Sequence, residues 1–267
     1  MTSQIQHENL ELVLFENDYQ SALRHIQCGI ASFLVDLELI GKDTRQLGFD
    51  TEINPGTMGD VKALSKIAQA RVWCRLNRFG SHTASEVEQA IANGAAVLIL
   101  PMVTTIQEVN DFLTQIGSRC ESCIMIETPE GVRLAPELEK MPIDSIFFGL
   151  NDYAISTESR NIFKAIENGT LETVIRATSA KRSGFGGLTH MSLGSPVPSA
   201  MLLEELSRLD CKITFLRRSF RRDSHKIDPS QIVLSINNYW RACKLRSPDK
   251  ISEDHQQFIK FLSHRRE

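Results

Sequence analysis

The chain has 267 residues, 42% of them hydrophobic and 24% charged, with a formal net charge of −3. That length can bury a sizeable core without a disulfide or metal staple, and the composition excludes the disordered and fibrous classes. With no basic excess, nucleic acid is not an expected partner. The opening residues, MTSQIQHENL, lack a signal-peptide pattern, and the longest apolar run, 95–103, falls well short of the roughly 20 residues of a membrane span. No membrane partner and a cytoplasmic location are therefore expected.

Short apolar runs rich in β-branched and aromatic residues alternate with longer stretches whose apolar residues recur every three or four positions. In chain order, Leu10–Phe15 predicts a strand and Tyr19–Gln27 a helix. Ala31–Leu37 pairs with Met58–Ala68, Arg71–Leu76 with Ser85–Ala92, and Ala95–Leu100 with Ile106–Ile116. Cys123–Glu127 precedes a helix over Gly131–Lys140, and Ser145–Phe148 a long one over Asn161–Ala180. Gly184–Leu188 then leads to Ser199–Arg208, and Lys212–Leu216 to Pro229–Leu245.

Eight β/α units in about 250 residues is the (β/α)8 TIM-barrel number. Nearly continuous apolar strands such as AAVLIL (95–100) suit a parallel sheet covered on both faces. The alternative, a doubly wound open sheet, lacks its glycine-rich loop after the first strand; the glycine-dense stretch, Gly184-Phe-Gly-Gly187, comes late. No linker divides the chain, so one domain over 1–267 is expected, with the barrel at about 10–247. The tail from 251 to 267 reads as an extra C-terminal helix, which packs across the barrel or docks on a neighbouring subunit. Six cysteines, at 28, 74, 120, 123, 211 and 243, are too irregular for a disulfide framework and read as reduced thiols.

Barrel active sites lie at the C-terminal ends of the strands, so polar residues directly after apolar runs are the candidates. They are Asp36 and Glu38, Arg75 and Asn77, Glu127 and Thr128, Asn151 and Asp152, and Arg217 and Arg218. Glu127 and Asp152 are one β/α unit apart, so both carboxylates can face one cavity. Two such groups repel unless a cation or proton lies between them, and hard oxygen ligands suit Mg²⁺ or Mn²⁺. Solvated carboxylates or rim salt bridges are the alternative reading. Asp36 and Glu38 share one face of an alternating strand and touch either substrate or a nearby cation: Lys42, Arg45 or Arg75.

FLVDLE (33–38), RLN (75–77), ILPM (99–102), IETPEG (126–131) and FGLND (148–152) occur in an order that resembles the HpcH/HpaI aldolase and citrate lyase β-subunit family. The resemblance covers roughly residues 10–220. It implies a (β/α)8 barrel, an oligomer of identical subunits, and divalent-metal-dependent making or breaking of a C–C bond beside a carbonyl. By the same resemblance Glu127 and Asp152 match the metal carboxylates, and Arg75 the arginine set against the substrate's carbonyl or enolate oxygen. Asn151 and Asp152 match the turn whose N–H groups hold a substrate carboxylate. The implied activity is lyase chemistry on a 2-oxo acid such as pyruvate, with citrate-lyase-type acyl-CoA chemistry or non-catalytic ligand binding as alternatives.

The match fails after Glu38, where the aldolases of the family carry a histidine and this chain has Leu39. Glu38, a metal-bound hydroxide, His82 and His190 remain as candidate bases. Two further features suit an anionic substrate, phosphorylated or CoA-linked among them: Lys42 and Arg45 in the long loop after the second strand, and RRSFRR (217–222) after the eighth. A solvated face or a subunit contact is the other reading of that arginine run.

Overall fold

The computed structural model describes residues 10–40, 56–217 and 219–264. Eight parallel strands form a closed barrel in sequence order: β1 (Glu11–Phe15), β2 (Ser32–Asp36), β3 (Arg71–Arg75), β4 (Val97–Leu100), β5 (Glu121–Ile126), β6 (Ser145–Phe148), β7 (Arg182–Phe185) and β8 (Ile213–Phe215). β8 returns to pair with β1, Leu12 lying opposite Thr214. The helices between strands are α1 (Tyr19–Gln27), α2 (Met58–Leu64), α3 (Thr83–Ala92), α4 (Ile106–Ile116) and α5 (Pro129–Leu138), followed by α6 (Leu150–Ser156), α7 (Lys164–Glu167), α8 (Thr170–Ala177) and α9 (Ser199–Arg208). After β8 come α10 (Ser219–Ser224), α11 (Pro229–Lys244) and α12 (Pro248–Ser263).

Local chemistry sets the helix starts. Thr57 with Asp60 and Thr105 with Glu108 form reciprocal capping boxes on α2 and α4, which satisfy first-turn N–H groups. In α4 the buried residues Val109, Phe112 and Ile116 follow the helical spacing that the sequence showed. The helix expected over Asn161–Ala180 is instead two short ones. Gly169 at φ 77° interrupts it in the left-handed region, and Asn168 Oδ1 accepts the Thr170 N–H at 3.1 Å. The seventh strand ends at Phe185, earlier than expected. α12 buries Phe258 and Leu262 and packs on α9 and α7 of its own chain. All six cysteines are free, and burial pushes the Cys123 thiol up to about 12.

The barrel interior is layered because alternate strand residues point inward. At its N-terminal end Glu11 accepts hydrogen bonds from Ser32 Oγ at 2.6 Å, Trp73 Nε1 at 3.1 Å and Arg182 Nη2 at 2.6 Å, while Arg71 bridges Glu11 and Glu121. Above that polar floor lies an apolar layer of Val13, Leu34, Trp73, Ile99, Cys123 and Phe147. Two residues further along β2 and β3, and four beyond Cys123 just past β5, the same inward phase delivers Asp36, Arg75 and Glu127. A separate, larger apolar core fills the space between the strands and the helices. Among the described residues no helix is long and apolar enough to cross a membrane.

Candidate active site

A cavity of about 450 Å³ opens at the C-terminal end of the strands. Its wall brings together Asp36, Arg75, Glu127, Asn151, Asp152 and Arg217 from the residues singled out in the sequence. The rest is largely apolar, including Phe15, Met125, Phe147, Ile162, Phe163 and Phe215. The Phe147 and Phe215 rings stack with centroids 3.7 Å apart, and Phe15 meets Phe215 edge-on at 5.5 Å.

Glu127 directly follows β5 and is only 1% exposed. Its Oε2 accepts the Met102 N–H at 3.0 Å, an approach made from a backbone turned to φ 55° at Met102. Burial, and after it the charges of Asp152 and Glu38, pushes the Glu127 carboxyl up to about 8. Gly149 makes room for it, since a Cβ there would stand 2.4 Å from Glu127 Oε1. Gly149 is also the N-cap of α6 and supplies no side-chain cap, so the first-turn N–H groups of α6, which carries Asn151 and Asp152, have no side-chain acceptor there.

Arg75 ends β3. Its Nε and Nη2 donate to the two oxygens of Asp36 at 2.9 and 2.7 Å, and Glu38 Oε2 lies 3.5 Å from Nε. Burial alone would lower the guanidinium pKa, but Asp36 and Glu38 raise it well above its ordinary value. The Nε/Nη2 edge is therefore committed to a bidentate pair. Asp36, expected at the substrate, lines the cavity chiefly as the anchor of Arg75. Glu38, expected to be catalytic, is buried beside Arg75 and outside the cavity lining.

Other sequence candidates stand elsewhere. Thr128 Oγ1 caps α5, accepting the Gly131 N–H at 2.9 Å and donating to the Val103 carbonyl at 2.8 Å, so its hydroxyl is occupied and does not face the cavity. Asn77 Oδ1 takes the N–H groups of Leu39 and Ile40, both at 2.8 Å, and so carries the chain away from β2; Leu39 itself is 50% exposed. His82 bonds the Arg78 carbonyl and His190 bonds Ser192, and neither is part of the cavity lining. Lys42, Arg45 and Arg218 lie outside the described residues. The sequence did not single out Gly149, Ile162 or Phe163. Gly149 acts by lacking a side chain, and the other two come from a connection whose path over the rim no local pattern encodes.

Among the described residues no three His, Cys, Asp or Glu side chains gather into a metal cage. Glu127 and Asp152 still fit a hard divalent cation. They are a close pair of buried carboxylates in a cavity with room for water and a chelating ligand, and Mg²⁺ is commonly held by one or two carboxylates with waters or substrate completing the shell.

No family model and no curated protein matches this sequence. Solved structures do. A citrate lyase from Burkholderia xenovorans LB400 has a TM-score of 0.59 at 12% identity, over 95% of this chain and 82% of that one. Protein CitE from Mycobacterium tuberculosis, solved with magnesium and pyruvate, has a TM-score of 0.59 at 14% identity, over 96% of this chain and 100% of that one. A 3-hexulose-6-phosphate synthase from Salmonella typhimurium has a TM-score of 0.58 at 13% identity, over 88% and 100%. The chain is a (β/α)8 barrel. At these identities the barrel itself is the shared property, and the chemistry rests on the side chains already described.

Proposed function

We propose that this barrel is a divalent-metal-dependent carbon–carbon lyase or aldolase of the HpcH/HpaI and citrate lyase β-subunit type, acting on a 2-oxo acid. The observation that carries this reading is the convergence of Glu127, Asp152 and Arg75 on one cavity at the active end of the barrel. Glu127 and Asp152 would hold Mg²⁺ or Mn²⁺. When bound, such an ion supplies Lewis-acid polarisation of a keto oxygen.

The chain's own residues do the rest. Asp36 fixes the Arg75 guanidinium so that its remaining edge offers positive charge where an enolate oxygen develops, and it does so without reorganisation during the reaction. In the cleavage direction the C3–C4 bond of a 4-hydroxy-2-oxo acid breaks, its electron pair becomes the C2–C3 double bond as the carbonyl π pair moves to the C2 oxygen, and the C4 hydroxyl becomes an aldehyde carbonyl by passing its proton to water in the cavity. The Met102 N–H holds Glu127 in place, and Gly149 leaves the space that its carboxylate occupies. The phenylalanine-rich wall limits water around the developing charge.

A second reading is a ligand-binding barrel without turnover. It is favoured by one observation: Glu38, His82 and His190 all stand outside the cavity lining, and Leu39 is at the surface. Deuterium exchange at the pyruvate methyl group in D2O with Mg²⁺, followed by proton NMR, separates the two. The lyase reading predicts exchange that disappears in Glu127→Gln. Binding of Mg²⁺ and oxalate with no exchange above buffer would support the second reading.

A further inference from the structure

Away from the Glu127 and Asp152 side, which is the acidic pole of the cavity, β8 leads into a cation held by carbonyls. Arg217 Nε donates to the Gly187 carbonyl at 2.6 Å, Nη2 to the Val197 carbonyl at 2.7 Å and Nη1 to the Ser195 carbonyl at 3.3 Å. Guanidinium N–H groups lie in the plane of the group, so bonds from all three nitrogens fix that plane and leave its face for a ligand. Carbonyls do not neutralise the charge, and burial pushes its pKa down to about 10. Arg221, the other cation on this wall, is already committed: it lies 3.3 Å from buried Glu16 Oε1 and donates to the Phe15 carbonyl at 2.8 Å.

The neighbours of Arg217 in the cavity are aromatic rings and bare backbone. Arg217 follows Phe215 by two positions and so shares its inward phase. Val13 lies opposite Phe215, and the same register carried two residues further brings Phe15 of β1 to the level of Arg217. On the other side β7 continues into Gly186 and Gly187, which add no side chain to the wall. A Cβ at Gly186 would stand 3.4 Å from Phe215 Cβ and 3.5 Å from Phe147 Cζ, so the glycine leaves open the space beside the stacked ring pair. The cavity, at about 450 Å³, is about three times the ~150 Å³ in which a benzene ring fits, so a ring, a metal ion and an oxo acid can share it.

We propose that this slot, bounded by Phe15, Phe215 and the face of the Arg217 guanidinium, recognises an aromatic ring, so that the substrate is a 2-oxo acid carrying an aryl group at its far end. This rests on the function proposed above for the acidic pole and names the substrate class for the same cavity. In the cleavage direction the substrate is then a 4-aryl-4-hydroxy-2-oxo acid and the carbonyl product an aromatic aldehyde. A ring in the slot meets phenylalanine rings by offset or edge-on packing, and its π face meets a guanidinium whose charge no neighbour neutralises. A saturated ring of the same size gains the apolar contact but not the attraction of the cation.

The test uses the full chain and calorimetric titration with Mg²⁺ present. 2-Oxo-4-phenylbutanoate is compared with 2-oxo-4-cyclohexylbutanoate, its saturated and more apolar counterpart, and with 2-oxoglutarate, which ends in a carboxylate. The phenyl compound should bind about fivefold or more tightly than either of the others. Arg217→Met should bring the phenyl and cyclohexyl compounds to about equal affinity, and if that variant fails to fold the wild-type ratio still decides. Cyclohexyl binding as tight as phenyl in the wild-type chain, 2-oxoglutarate binding tightest of the three, or an unchanged phenyl-to-cyclohexyl ratio in Arg217→Met would overturn the aromatic slot.

A separate arm titrates benzyl alcohol and cyclohexylmethanol into the protein without Mg²⁺, followed by NMR. Tighter binding of benzyl alcohol that is lost in Arg217→Met supports the slot even if no 2-oxo acid responds to Mg²⁺, a result that would count against the metal reading alone. Equal binding of the two alcohols, or a benzyl alcohol preference indifferent to Arg217→Met, would count against the slot alone.

Discussion

Replacing Gly149 by alanine adds one methyl group at the point where α6 meets the acidic pole. The backbone there, at φ −88° and ψ 90°, does not demand glycine, so the whole effect comes from contact. The new Cβ would stand 2.4 Å from Glu127 Oε1, 2.5 Å from its Cγ and 2.9 Å from its Cδ. Comfortable separation is roughly 3.5 Å, so the carboxylate must retreat by about 1 Å. Glu127 is 1% exposed and cannot swing into solvent, and a retreat stretches its 3.0 Å bond from the Met102 N–H. Overpacking costs about 1–3 kcal/mol and leaving the Met102 N–H without its acceptor about 1–2 kcal/mol, for a combined loss of about 2–5 kcal/mol. Urea unfolding reads the stability, and calorimetric titration of Mg²⁺ with oxalate reads the site. Gly149→Ala should be destabilised by that amount and bind Mg²⁺ at least about tenfold more weakly. Wild-type stability together with wild-type Mg²⁺ affinity would refute the steric reasoning.

The raised Glu127 pKa gives a pH signature in metal-free protein. The unfolded chain releases this proton near the ordinary value of 4.5 and the folded chain only near 8, so the group's contribution to stability is lost as pH rises through that window, by at most about 1.4 kcal/mol per pH unit. Denaturation midpoints measured with chelator from pH 5 to 8 should therefore favour Glu127→Gln over wild type increasingly as pH rises; a constant difference would contradict the assignment. Arg75→Lys cannot reproduce the bidentate pair with Asp36, so it should lose about 1–3 kcal/mol in urea unfolding and reduce methyl exchange in pyruvate at least about tenfold. At the opposite end, Glu11→Ala removes the acceptor of Ser32, Trp73 and Arg182 and should cost about 3 kcal/mol of stability, with oxalate affinity unmoved. A change in oxalate affinity would show that the barrel floor communicates with the rim.

The barrel was legible because strand-forming and helix-forming runs differ in period, and each strand here is buried on both faces. The rim positions of Glu127 and Arg75 were legible for the same reason, each being a charged residue directly after an apolar run, while Asp152 follows the β6 run only after Gly-Leu-Asn. What escaped had no such contrast. α6 continues the apolar run of β6 through GLNDY and starts at a glycine without a capping side chain, so nothing marks its onset. The split between α7 and α8 did have a signal, the Asn168-Gly169 pair, which a purely periodic reading passes over. Thr128 reads as a rim ligand from its position after β5, but the same position is the N-cap of α5. Asp36 reads either as a substrate contact or as the partner of Lys42, Arg45 or Arg75, and the fold pairs it with Arg75.

The most direct test of the acidic pole is a titration of Mg²⁺ into chelator-treated protein in the presence of oxalate, comparing wild type with Glu127→Gln and Asp152→Asn. The account predicts one Mg²⁺ per chain in wild type and a loss of at least about 100-fold in affinity in either variant. Mg²⁺ binding of wild-type strength in both variants, or none in the wild-type chain, would contradict it.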